Sequence, residues 1–94
     1  MASRGLEDVI ARTYALSIVY EMKEIERVRD SDVKFCDVKR VEADMFYRVI
    51  QPRIEKRSPK TNEILLNTLK GSYGAMNSQE VEKYLNSGLG IKLR

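Results

Sequence analysis

The chain has 94 residues, of which 43% are hydrophobic and 33% charged, with a formal net charge of +3. This length and balance suit one folded domain with a single modest core. Histidine is absent and cysteine occurs once, which excludes Ser-His and Cys-His nucleophile pairs, His-ligated zinc and an intramolecular disulfide.

Glycine and proline are scarce, at 5 and 2 residues, so folds that need many tight turns are disfavoured and helices are expected. From Leu6 to about Val28, the residues Leu6, Ile10, Tyr14, Ile18, Met22 and Ile25 recur at helical spacing, flanked by Val9, Ala15, Leu16, Val19 and Tyr20. At about 1.5 Å per residue this helix would run about 35 Å. An apolar arc that wide predicts a helix that threads the fold or pairs with its own copy. Its far end, Glu21 to Asp30, alternates in charge like a solvated face, with local pairs such as Glu24 and Arg27.

Asp30-Ser-Asp32 interrupts the pattern and can cap the segment after it. Val33 to Phe35 fits a brief extended piece or a helix entry, and a helix is expected from about Glu42. Pro52 should kink that helix at Gln51 or end it there. Between Val33 and Arg57 the residues Phe35, Val38, Val41, Phe46, Val49, Ile50 and Ile54 are assigned to one inward side, with Lys39, Arg40, Arg48, Arg53, Lys56 and Arg57 opposite them. Cys36 reads as a small buried side chain in a reducing compartment, here the cytoplasm.

Ser58-Pro-Lys-Thr61 opens another helix, capped by Ser58 or Thr61, with Ile64, Leu65, Leu66 and Leu69 inward and Gly71 as its stop. Gly71 to Gly74 reads as a turn. Asn77-Ser-Gln-Glu80 resembles a capping box for a last helix with Val81, Tyr84 and Leu85 inward, closing at Asn86-Ser-Gly88. The tail Leu89 to Arg94 alternates apolar and polar and fits a single strand. The expected architecture is mainly α, one domain over residues 1–94, built as a small bundle of four or five helices with a long first helix.

The charge is unevenly spread. From Arg48 to Lys60 five bases face the single acid Glu55, an asymmetry that suggests a polyanion-facing side. Phe35 to Ile50 also resembles the two-helix core of a helix-turn-helix domain. Phe35 and Cys36 would stand in the first helix, Lys39 at a position that is usually apolar, Arg40 at the turn where Gly is common, Val41 just after it, and Phe46 and Val49 inward on the recognition helix.

The resemblance implies DNA binding in the major groove by the Glu42 to Gln51 helix. Arg48 and Gln51 would read base edges, and Tyr47 would stack or reach a phosphate. Lys39, Arg40, Arg53, Lys56, Arg57 and Lys60 would meet phosphates. Such a regulator or architectural protein is expected to act as a homodimer. The same basic pattern also describes an ordinary solvated surface.

The alternative is a helical adaptor or assembly subunit that binds a protein partner through its N-terminal helix. Charges introduced at Ile18 and Met22 would dissociate such an assembly. No catalytic residue, metal, cofactor or membrane-spanning segment is expected from the sequence.

Overall fold

A chain this rich in helix formers and this poor in Gly and Pro propagates helix until a cap or break stops it. The computed structural model describes the backbone of residues 2–94 and side chains from Gly5 onward. Four α-helices follow one another: α1 (Ala2–Val28), α2 (Val33–Arg57), α3 (Pro59–Lys70) and α4 (Ser78–Leu89). A short 3-10 turn, Tyr73–Ala75, lies before α4. Among the described residues there is no strand. The all-α bundle and the long first helix match the expectation from the sequence.

Each start has a local cause. The side chain of Asp32 accepts from the Phe35 N–H, that of Ser58 from Thr61, and that of Asn77 from Glu80, so three N-terminal donors that helix geometry leaves unpaired are satisfied. Gly90, at φ 71°, ends α4 in the left-handed conformation that glycine adopts without a Cβ penalty.

α1 and α2 form an antiparallel hairpin, marked by contacts that run in opposite chain directions. Asp8 pairs with Arg53 at 2.8 Å, Tyr14 meets Phe46 with ring centroids 5.9 Å apart, and Glu21 pairs with Lys39 at 3.4 Å. The shorter α3 and α4 cover one side of this hairpin. The core between the layers contains Ala15, Ile18, Met22 and Ile25 of α1 and Cys36, Ala43, Tyr47 and Ile54 of α2. From α3 and α4 it receives Leu65, Leu69, Val81, Leu85 and Leu89. Cys36 is fully buried, as expected, and burial pushes its thiol up from the ordinary value.

Four expectations are corrected. The second helix begins at Val33, because the Asp32 cap starts it there; of the two alternatives at Pro52, a kink or an end, the end is excluded, since the helix continues to Arg57. Proline removes one backbone donor, and Pro52 stands on the exposed side of the helix, where water can serve the carbonyl that is freed. The turn required by the helix-turn-helix resemblance is absent, since Lys39, Arg40 and Val41 lie in mid-helix with no glycine to break it.

α4 runs past Gly88, which is buried where a Cβ would come within 3.0 Å of Ile54 Cγ2 and 3.1 Å of Thr61 Cγ2. Gly88 therefore serves close packing of α4 on α2 and α3 and does not stop the helix. The tail is not a strand. Leu93 is buried and its N–H donates to Asn86 Oδ1 at 3.0 Å, folding the tail back on α4.

Candidate functional site

α2 carries nearly all the residues singled out from the sequence, so its two sides decide what the protein presents to others. Its buried residues are Cys36, Ala43, Tyr47, Ile50 and Ile54. At about 100° per residue these cluster in one arc, and Val38, Val41, Met45 and Val49 fall within about 80° on the opposite side. Those four are 57, 59, 60 and 52% exposed. α2 is thus apolar along two opposed stripes, one inside the core and one in solvent. The inward assignment of Val38, Val41 and Val49 is corrected, whereas Ile50 and Ile54 are inward as expected.

The basic residues are distributed differently from the sequence expectation. Arg40 donates to the Lys70 carbonyl at 3.1 Å and the Gly71 carbonyl at 2.8 Å, and its guanidinium lies 4.3 Å from the centre of the Tyr73 ring. It closes the C-terminus of α3, whose last carbonyls lack helical partners and carry partial negative charge. Arg53 does the same for α4, donating to the Leu89 carbonyl at 3.2 and 2.9 Å while pairing with Asp8. Arg40 flanks the core stripe, Arg53 lies between the two stripes, and both side chains are used within the fold.

Lys39 lies between Glu21 and Glu42, 3.4 Å from each, with the Tyr20 and Phe35 rings 5.8 and 5.1 Å away. Burial pushes the Glu21 carboxyl above the ordinary carboxylate range and Glu42 adds to the rise, while Lys39 opposes both. Tyr47 is 1% exposed and its hydroxyl donates to Asn62 Oδ1 at 2.7 Å. Burial raises its phenol well above the ordinary value. Tyr47 is a core residue and has no surface on which a base could stack.

Arg48 is exposed and paired with Asp44 at 2.9 Å, the i,i+4 spacing that helices favour. Gln51 is half-buried. Lys56, Arg57 and Lys60 are exposed around the corner between α2 and α3, and none is within 4 Å of a carboxylate oxygen among the described residues. The nine predicted contacts therefore divide into four used in the fold (Lys39, Arg40, Tyr47, Arg53), two along α2 (the Asp44-paired Arg48 and the half-buried Gln51) and three at the helix corner (Lys56, Arg57, Lys60).

α1 contributes Leu6, Val9, Ile10 and Tyr20 to the exposed apolar surface, at 61, 53, 43 and 58% exposure. Ile18 and Met22, the positions expected to meet a partner, belong instead to this chain's own core at 1 and 0%. The outer apolar stripe of α2 was missed because it interleaves with the core stripe. Its signal was the recurrence of Val38, Val41, Met45 and Val49 at intervals of three and four, with Pro52 three further on.

Among the described residues no helix is long and apolar enough to cross a membrane, and no group of His, Cys, Asp and Glu could hold a metal ion. Comparison of the chain with protein-family models, with curated proteins and with solved structures finds no match.

Proposed function

We propose that this chain is a helical assembly subunit that docks on a protein partner through the outer face of α2, with Ile10 and Tyr20 of α1 beside it. The observation that carries this reading is the solvent-facing stripe Val38, Val41, Met45 and Val49, diametrically opposite the core stripe of the same helix. A surface helix ordinarily has one apolar stripe and one polar face. A contiguous exposed apolar surface is characteristic of an interaction site, and helical spacing suits a partner that also presents a helix or a groove. The N-terminal helix is thereby a minor contributor, because the middle of its apolar arc is filled by this chain's own core.

Position-specific photo-cross-linking in cells of its source tests this reading. Benzoylphenylalanine at Val41 is expected to give a discrete adduct heavier than the chain, and the same group at the exposed α3 residue Glu63 to give none. No adduct at Val41, or the same adducts at both positions, would overturn the reading.

A second reading, DNA binding, is favoured by one observation: Lys56, Arg57 and Lys60 stand together at the corner between α2 and α3, where α2 supplies only the acid Glu55. These residues would contact phosphates and give affinity with little sequence preference. Neutralising about three phosphates predicts roughly a fortyfold loss of affinity for a random duplex when salt rises fourfold, read by fluorescence anisotropy. Absence of binding at low salt would remove this reading.

A further inference from the structure

We infer that the partner is a second copy of this chain, whose α2 lies antiparallel on the outer stripe about a twofold axis near Ala43 and Asp44. The inference rests on the assembly reading above and names its partner. It follows from how the stripe and its charged margin are arranged along the helix.

In an antiparallel pair related by such an axis, residue i lies across from a residue numbered near 87 − i. Val38 then meets Val49 of the second copy, and Val41 meets its Met45, so the whole apolar stripe closes on itself. An isologous contact requires this self-complementarity. The same flank of each helix also meets in this arrangement. That flank bears Asp37, Arg48 and Glu55, whose helical angles place them on one margin of the stripe, while Lys34 lies within the stripe on the same side of its midline.

Lys34 falls across from Glu55 of the second copy and Arg48 across from its Asp37. Both pairs lie within an axial offset of about 3 Å of ideal register at about 1.5 Å per residue. Each of these four residues is exposed. Lys34 and Glu55 have no ion-pair partner among the described residues, which leaves both available.

The like-charged neighbours at the axis are already compensated within the chain. Asp44 would lie near Asp44 of the second copy, but each is paired with its own Arg48. Glu42 is likewise paired with Lys39. A parallel pair matches less well, because it sets Asp44 beside Glu42 of the other copy and separates Lys34 from Glu55 by about 30 Å along the axis.

Size is consistent with the same occupant. α2 has 25 residues and runs about 37 Å. One helix stripe is narrow against the ~800 Å² per partner of a standard interface, and the outer side of α1 borders it. There Thr13 and Ser17 are small, and their hydroxyls already donate to the Val9 and Thr13 carbonyls at 2.9 Å. A second copy can approach them without stranding a donor.

Sedimentation equilibrium of the purified full chain, its K34E and E55K variants and the K34E/E55K double variant tests the inference, with circular dichroism to verify that each is folded. The chain is expected to be a dimer. Each single change turns two attractive pairs into two repulsive ones and should weaken the dimer about tenfold. The double variant, which has the same net charge as the original chain, should recover most of that loss.

A dimer indifferent to all three changes would overturn the antiparallel register. A monomeric chain that still cross-links through Val41 to a protein of another mass would overturn the second copy and leave the assembly reading standing. Absence of any adduct at Val41 would remove the reading itself.

Discussion

Tyr47→Ala is expected to lower the Tm by at least about 12 °C. Tyr47 is the largest of the fully buried side chains, at 1% exposure, and its hydroxyl satisfies the buried Asn62 at 2.7 Å. Truncating a buried aromatic side chain costs about 3–5 kcal/mol, because the transfer gain is lost and a cavity remains. A domain of this size has a total stability of roughly 5–14 kcal/mol.

The milder Tyr47→Phe keeps the ring and removes only the donor, leaving the Asn62 oxygen buried without its partner. That should cost about 1–3 kcal/mol, or a fall in Tm on the order of 4–8 °C per kcal/mol for a domain of this size. Thermal denaturation of the two variants checks the ranking. A Tyr47→Phe protein as stable as the original, with a defect confined to ligand binding, would mean that Tyr47 works at the surface.

The second large effect is a contrast between two charged pairs of substitutions four residues apart. I18E and M22K place charges in the core of α1, where both native residues are almost fully buried. The lost apolar burial and the stranded charges together cost at least about 4 kcal/mol, so circular dichroism should report a largely unfolded chain. V41E and M45K place charges at positions that are 59 and 60% exposed. They exchange a β-branched residue for a better helix former and create a Glu-to-Lys i,i+4 pair. Helix content and Tm should be unchanged or slightly raised. Unfolding of V41E/M45K would show that the outer stripe belongs to the core.

Local signals were the most legible part of the sequence. The caps at Ser58 and Asn77 act on backbone donors three residues away, so their side chains and spacing are enough to locate those helix starts, whereas Asp32 was legible as a cap but the helix it opens was expected only from about Glu42. The inward residues of α3 and α4 were legible because one amphipathic face packs against one layer. α2 was harder to read, since Val38, Val41, Met45 and Val49 interleave with Cys36, Ala43, Tyr47 and Ile50 and the helix has no single apolar side. Assigning all of its apolar residues inward forced the bases to the opposite side.

The roles of Arg40 and Arg53 were invisible for another reason. Each reaches the carbonyls at the end of a helix 30 or more residues away in sequence, and no local pattern encodes a contact at that distance. A basic residue on α2 therefore looked available to a polyanion when the fold had already engaged it. Lys56 and Lys60 escape this because they lie at the helix corner, whereas the Arg57 guanidinium lies against Gly90 at the end of α4, where a Cβ would come within 2.4 Å of it.

The most direct test of the outer face of α2 as the docking surface is the native size of the particle that contains the chain. Gel filtration of extracts from cells of its source, with the original chain replaced by V41E/M45K in a parallel culture, measures it. The original chain is expected to elute in a particle well above its own 10.9 kDa, and V41E/M45K at the size of a folded monomer. An original chain that elutes as a monomer, or a V41E/M45K chain that keeps the larger particle, would contradict a docking role for this face.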